Sequence, residues 1–586
     1  MQYKLIGDNN TNNVIKTVLN NRGVDDADKY LHLTHSVVQD YSALSNVNAA
    51  VGCFVKHYEA RDKIVIIPDE DADGYTSSAM LYLYIKSLDE KYPIEYIMHS
   101  NPKMHGLGNG EHLRVPEDTK LLILADAGTN DANECNYLMN NGIDVIIIDH
   151  HDANYQDECE NEIIFQTAER NNAIIVNNQL STEYVNKNLS GAGVVYRFLQ
   201  ALDEELWVDY ADNFLDLCCV GNVADVMDIR SFETRYLINR GIINFKNKFL
   251  VALAKAQEYS MHGEITVHNI AWYISPILNS ITRIGTPEER ELVFRAMIEQ
   301  DEMFTYDKRG VGLVEENIYD RAARIAKNAK SRQDKQRDKV FNELLDKADL
   351  NEKVVFLESK QATTGLVGLS AMKLADTLKR PVVVVKEVFK DGEVILSGSC
   401  RNYDGSPIED FKDLILRTNS FIFCSGHGNA AGLAIKRENI EYAKEKFTEL
   451  LQGVDFNLPI PCDFIFNVNE LDVGFIQEID KYGWVWGTGI KEPKVAVENI
   501  VVCRDDINIQ GKNFNSTSFI NNNIKFVKFN MKDDDPLLEW ASAWDGDSAD
   551  KITLDVVGTV CVNEYKGIYT PQFVIEHSRI EKTTQN

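Results

Sequence analysis

Four segments in the first half of the chain set carboxylates or imidazoles directly after apolar stretches. PDEDADG spaces Asp69, Asp71 and Asp73 at every second position ahead of Gly74, and ILADAG supplies Asp126. IIIDHHD supplies Asp149, His150 and His151, and VGNVADVMD supplies Asp225 and Asp228. Clustered Asp oxygens and His nitrogens suit Mn²⁺ or Mg²⁺ better than a thiolate metal. Two such ions, about 3.5–4 Å apart, need a bridging carboxylate with ligands on either side. The four segments hold enough ligands for both. Taken singly, each reads equally well as a polar strand end with a capping Asp. DxDxD also occurs in calcium loops, but the EF-hand spacing and its downstream Glu are missing. Four such ends in order on consecutive elements favour a shared site.

The elements that must position these residues are legible around them. KIVIIP, KLLILA, DVIIID and AIIVNN are short apolar runs separated by helical stretches such as TSSAMLYLYIKSL. Strands alternating with helices predict a parallel sheet with helical crossovers. Sites in such sheets form outside the carboxyl ends of the strands. Residues 14–62 and 190–260 read as mostly helical. Residues 315–347 contain no Gly or Pro and predict one long helix. Its cations Arg321, Arg324, Lys327, Lys330, Arg332, Lys335, Arg337 and Lys339 form a basic stripe, read either as a solvated linker face or as a phosphate-facing rail. A second α/β region follows, ending in the glycine-rich CSGHGNAAG, taken as a turn. From about residue 461 short strands and Asn/Gly/Asp turns predict a β-barrel. The expected class is α/β, divided into 1–310 (a parallel-sheet catalytic domain with a helical N-terminal extension), 311–348 (connecting helix), 349–458 (a smaller α/β domain) and 459–586 (an OB-like barrel).

The whole chain bounds the function further. It has 586 residues, 44% hydrophobic and 26% charged, the balance of an ordinary globular protein. No apolar run approaches the roughly 18 residues of a membrane span, and the N-terminus lacks an apolar signal core. A cytoplasmic protein with no membrane partner is expected. Ten cysteines without a CxxC pair read as small buried hydrophobes, not a zinc site. The net charge of −29 opposes nucleic acid at first sight. Divalent ions invert that charge locally, so a nucleic-acid substrate stays open.

DEDADG, LADAGTND, IIDHH and GNVADV, in that order, resemble the four motifs of the DHH phosphoesterase superfamily. CSGHGNAAG resembles the signature of its associated C-terminal domain. LSGAGVVYRFLQAL, SPILNSITRIG, GSCRN and KYGWVWGTGIKEP resemble segments of the RecJ-like single-strand-specific exonucleases within that superfamily. Ser425, Asn222, Asn402 and Lys103 depart from the family pattern, marking a divergent, phage-type member.

The resemblance implies roles residue by residue. Asp71 goes to one metal and Asp73 to the other, with Asp126 bridging. His150 and Asp225 complete the second site, and Asp69 is an extra ligand of the first or a supporting group behind it, where Ile67 replaces a His ligand of some relatives. His151 faces the scissile phosphate and Asp149 orients the histidines. In the associated domain Arg401, His427 and Ser399 contact substrate, and Arg401, Arg283 and Lys103 form a 5′-phosphate pocket. Tyr482, Trp484 and Trp486 are candidates for base stacking on a barrel strand. The implied activity is 5′→3′ hydrolysis of single-stranded DNA to 5′-mononucleotides with two Mn²⁺ (Mg²⁺ the alternative), in recombination, repair or replication. A single-strand-binding protein or a helicase is the implied protein partner. The competing readings are an RNA or oligonucleotide phosphodiesterase and a nucleic-acid scaffold with a decayed site. Intact Asp71, Asp73, Asp126, His150, His151 and Asp225 weigh against decay.

Overall fold

The computed structural model describes residues 1–102, 104–153, 173–308, 310–390, 392–511, 514–532, 534–543 and 551–581. Lys103 lies outside the described residues. The chain divides into two compact units: Ser36–Met227 with Glu233–Phe456, and Met1–His35 with Asp228–Phe232 and Asn457–Asn586.

The first sheet of the larger unit has five strands, all parallel, in the order Ile94–Tyr96, Ile64–Pro68, Leu121–Ala125, Asp144–Asp149, Ile174–Asn177. Every residue of Ile64–Pro68 and Leu121–Ala125 is buried, as expected of a parallel sheet covered on both faces. Val65, Ile67, Leu122, Leu124, Val145 and Ile147 pack one face against Leu107, Val115, Cys135 and Leu138. The chain winds outward in both directions from Ile64–Pro68. The winding therefore reverses between that strand and Leu121–Ala125, and a crevice opens beyond their carboxyl ends. Asp69 and Asp126 stand at those two ends.

The predicted long helix is Ile318–Leu345. The Asn317 side chain caps it by accepting from the Asp320 N–H, and residues 315–317 close a β-hairpin instead. Its basic stripe is engaged in part, while Arg332, Lys335 and Lys339 are exposed. Ala322, Ala323, Ala326 and Ala329 are buried along one face. Arg321 stacks on Phe304, Arg324 pairs with Glu316 and stacks on Tyr306, and Arg332 pairs with Glu289.

The second sheet runs Phe421–His427, Ala430–Ile435, Glu393–Arg401, Val382–Lys390, Val355–Glu358, with only the last pair parallel. CSGHGNAAG is therefore not a turn alone. It spans both strands of a hairpin, with Gly426 opposite Ala431.

Of the helical N-terminal segment, Ser36 onward, with the Val47–Ala60 helix, stays with the catalytic unit, while Met1–His35 belongs to the smaller one. Tyr3–Leu5 pairs in parallel with Ile460–Cys462, tying Met1–His35 to the C-terminal region. That region holds a seven-stranded sheet whose central strands are Lys551–Tyr565 and Ile568–Glu581. Trp484 and Trp486 do not alternate on a strand. They fall in a single 3₁₀ turn and its exit, where Trp486 is buried. Among the described residues no helix is long and apolar enough to cross a membrane.

Candidate metal centre

Each strand end delivers its side chain by a local device. Asp71 is the N-cap of the Ala72–Leu88 helix and accepts from the Gly74 N–H at 2.9 Å, which aims the first turn into the crevice. The Ala72 N–H, left over at that turn, donates to Asn279 Oδ1 at 3.0 Å. Asp73 meets the start of the Gly191–Leu206 helix. It accepts from Ser190 Oγ at 2.9 Å and from the Gly191 and Ala192 N–H groups at 2.7 and 3.1 Å. Asp126 turns off its strand with φ +67°, while its N–H donates to the Ile148 carbonyl at 2.8 Å. A non-glycine residue there carries strain of about 1 kcal/mol, the kind of cost that gathers at functional sites. Asp225 ends the Leu215–Ala224 helix, followed by Val226 at φ +60°.

These devices bring the predicted ligands together. His150 Nε2 lies 3.2 Å from Asp126 Oδ1, 3.4 Å from Asp225 Oδ2 and 4.0 Å from Asp73 Oδ2. Asp69, Asp71 and Asp126 converge as one ligand group and Asp73, His150 and Asp225 as another. Asp126 joins the two through its contact with His150. Asp228 does not join them; it belongs to the smaller unit, where Arg230 Nε holds it at 2.8 Å.

The electrostatics divide the carboxylates into two classes. Burial and the charge of a neighbouring Asp push Asp71 up, and Asp73 up to about 7. Burial and the charges of Asp73 and Asp71 raise Asp126 and Asp225 well above the ordinary value. Burial also acts on Asp69 and Asp149, yet their histidines overturn it. His105 and His99 hold Asp69 down to about 2. Asp149 is held far lower by the His151 hydrogen bond and charge. Asp149 is fully buried and accepts from the His150 and His151 N–H groups, from Thr129 N–H and from His151 Nδ1 at 2.7 Å. Burial and the charge of His151 lower His150 to about 3, so it is neutral at pH 7. Burial opposes charge on His151 too, but Asp149 prevails and lifts it to about 9.

Asp126 Oδ1 and Asp225 Oδ2 are buried and accept no hydrogen bond. Oxygens of several carboxylates thus crowd around His150, and these two have no hydrogen-bond partner. Unpaired buried acceptors are costly, and a divalent cation satisfies them. The residues present fit such an ion, and each is a hard or borderline ligand.

Arg283 and the candidates of residues 349–458 are linked to the same centre by charge. Burial lowers Arg283, with the Asp71 charge opposing, and Arg401 in turn is lowered by burial and by Arg283. Ser399 sits two residues before Arg401, and both crowd Gly368, where a Cβ would meet Arg401 Nη2 at 2.7 Å and Ser399 Oγ at 3.4 Å. Arg401 Nη1 is partly spent on the Cys400 and Ala431 carbonyls at 2.7 and 3.4 Å. His427 is exposed, and burial and then the charge of His151 lower it.

Sequence reasoning missed four contributors. His105 Nδ1 contacts Asp69 Oδ2 at 2.9 Å. His99 is buried between Asp69 and Glu111, at 3.7 and 3.5 Å. Asn279 receives the Ala72 N–H. The clue for His105 was its place in NPKMHGLG, directly before two spaced glycines; the other three lacked any local signal.

Comparison with known proteins agrees with this architecture. The DHH family N-terminal domain model matches residues 63–222, and the RecJ OB domain model matches residues 462–577. The chain is 36% identical over 603 residues to the putative SPbeta prophage-derived single-strand DNA-specific exonuclease YorK of Bacillus subtilis, covering 100% of this chain and 99% of that protein. It is 24% identical over 588 residues to the single-stranded-DNA-specific exonuclease RecJ of the same organism, covering 97% of this chain and 68% of the relative. The crystal structure of RecJ from Thermus thermophilus in complex with Mn²⁺ superposes with a TM-score of 0.71 at 18% identity, covering 100% of this chain and 79% of that one. That likeness establishes the shared fold.

Proposed function

The chain belongs to the RecJ-like family of DHH single-strand DNA-specific exonucleases, and from that premise we propose that it hydrolyses single-stranded DNA stepwise from the 5′ end, releasing 5′-mononucleotides. The observation that carries this reading is the buried convergence of Asp71, Asp73, Asp126, His150 and Asp225 with carboxylate oxygens left without donors. Asp71 and Asp126 would hold one divalent ion, with Asp69 behind them as a supporting carboxylate; Asp73, His150 and Asp225, with Asp126, would hold the other. Mn²⁺ is the proposed ion and Mg²⁺ the substitute. Bound there, such ions lower the pKa of water and neutralise phosphate oxygens.

The chain's own residues do the rest. His151, kept charged by Asp149, donates toward the scissile phosphate where negative charge grows. Arg283, Arg401, Ser399 and His427 take the flanking phosphates, with Lys103 the further candidate, and Arg suits a terminal phosphate through paired hydrogen bonds. Residues 349–458 bind substrate, and the OB domain holds the unpaired strand. The setting we propose is the cytoplasm of a bacterial or phage-infected cell, with a single-strand-binding protein or helicase supplying unpaired DNA for recombination, repair or replication.

The test is release of nucleotide by the purified protein from 5′- and 3′-labelled single-stranded DNA, RNA and duplex DNA. Mn²⁺-dependent release from the DNA 5′ end, absent in Asp126→Ala, is the expected result. Preference for RNA, release from the 3′ end, or full activity of Asp126→Ala would each overturn it.

A further inference from the structure

His105 is placed to do what His151 does. Each imidazole turns Nδ1 into the protein onto a carboxylate held within the fold: His151 onto Asp149 at 2.7 Å and His105 onto Asp69 at 2.9 Å. The two rings meet edge to face, with centroids 4.8 Å apart and planes at 71°. With Nδ1 committed, Nε2 is the outward atom. The His105 side chain is 50% exposed and that of His151 35%, so both outward edges reach solvent. Among the described residues neither Nε2 has a hydrogen-bond partner.

The support under His105 is firm. Asp69 Oδ1 accepts from the Gly106 N–H at 3.2 Å, and the buried His99 stands behind it at 3.7 Å. The next residue is pinned as well, since the Leu107 N–H donates to Asp131 Oδ2 at 2.7 Å. Gly106 has φ +62°, and a Cβ there would lie 2.0 Å from Asp131 Oδ2, so no larger residue takes its place. An imidazole on a fixed loop with an oriented free edge is preorganised for an anion. A carboxylate behind a histidine sets its tautomer and ring orientation.

We propose that His105 is a second phosphate-contacting imidazole: with its Nδ1–H given to Asp69, the doubly protonated ring donates its Nε2–H to an oxygen of the same phosphate that His151 engages. Asp69 is then a positioning residue that acts through His105, as Asp149 acts through His151. The proposal rests on the phosphodiesterase reading above and assigns one more group to the scissile phosphate.

Two measurements on the full chain test it. Thymidine 5′-monophosphate is titrated into protein labelled with ¹⁵N-histidine, the His105 and His151 resonances being assigned with His105→Gln and His151→Gln. Both Nε2 resonances are expected to shift together, and a shift of His151 alone overturns the proposal. In the second, His105→Gln, Asp69→Asn and the double variant are assayed on oligo(dT) with Mn²⁺. Each single variant is expected to lower kcat about 10–100-fold with little change in KM, as loss of one positioned donor does. The double variant is expected to fall no further than the singles. Unchanged kcat in His105→Gln overturns the proposal. So does a loss of Mn²⁺ affinity in His105→Gln, read by electron paramagnetic resonance, that parallels its loss of kcat, because it would make His105 a ligand. Wild-type protein that hydrolyses no single strand sinks the nuclease reading, while the resonance shifts still decide whether His105 meets a phosphate.

Discussion

At the scale of single residues, the centre separates carboxylates that support histidines from carboxylates that await a cation, and the two classes titrate in opposite directions. Asp149 lifts His151 to about 9, so the charged imidazole persists through neutral pH. In Asp149→Asn that lift goes. The His151 pKa then falls toward or below its ordinary 6.5, and the alkaline limb of the kcat profile is expected to move down by about two pH units. An unmoved limb would mean that His151 does not donate as a cation. The second class governs the metal-free protein. Asp73 is raised from 3.8 to about 7 in the folded state, and Asp126 and Asp225 are raised with it. The fold then holds protons that the unfolded chain has released. Stability from these groups is present below pH 3.8 and is lost as pH rises toward 7 and beyond. Asp69 and Asp149, being depressed, lose their contribution only at more acid pH. In chelator, thermal melts are therefore expected to show a falling Tm between about pH 5 and pH 8. Added Mn²⁺ is expected to raise Tm more at pH 8 than at pH 5, because binding displaces those protons. A Mn²⁺ effect independent of pH would remove the cluster from consideration as the binding site.

At the scale of elements, the centre depends on how closely helix backbones approach carboxylates. A Cβ on Gly191 would lie 2.5 Å from Asp126 Cβ, and one on Gly221 would lie 2.3 Å from Asp73 Oδ1. Both glycines are buried in helices, so Ala suits the helix backbone itself, and at Gly221 the clash falls on Asp73 Oδ1 and, at 2.4 Å, on Ala192 Cβ of the neighbouring helix. Gly221→Ala is expected to cost about 1–3 kcal/mol of stability through overpacking and, in the protein that remains folded, to lower Mn²⁺ affinity and activity at least tenfold, measured by titration and nucleotide release. Wild-type affinity in that variant would mean that Asp73 moves without consequence. These contacts also explain what could and could not be read from the sequence. Strands ending in Asp69, Asp126 and Asp149 were legible because apolar runs broken by acids carry their own period and stop. Asp71 and Asp73 were legible by their spacing before a helix. His99, Glu111 and Asn279 were not, because each reaches the centre across roughly 30 or more residues through tertiary packing and leaves no local pattern. The basic helix was legible as a stripe but not in its partners: Phe304, Tyr306, Glu316 and Glu289 engage Arg321, Arg324 and Arg332 through tertiary packing.

At the scale of the molecule, the N-terminus is built into the C-terminal unit, and one buried ion pair tests that assignment. Arg22 Nη2 meets Asp463 Oδ2 at 2.8 Å, with the Asp463 side chain wholly buried and that of Arg22 21% exposed. The same Asp463 oxygen accepts from the Lys494 N–H at 2.9 Å, at the entrance to the seven-stranded sheet. Burial raises the Asp463 pKa and Arg22 opposes that rise. Arg22→Ala leaves a buried carboxylate without its cation, at a cost of about 2–3 kcal/mol, at or just below the usual range for breaking a buried pair because Arg22 is partly solvated. Without Arg22 the folded-state pKa climbs further above 3.8, so the penalty appears above that pH and fades as pH falls toward it. Calorimetry at pH 8 is expected to show the transition of the C-terminal unit lowered by several degrees, with the catalytic transition and Mn²⁺ affinity in place. At pH 5 the gap should narrow. Equal lowering of both transitions, or none, would show that residues 1–35 do not stabilise the C-terminal unit through this pair.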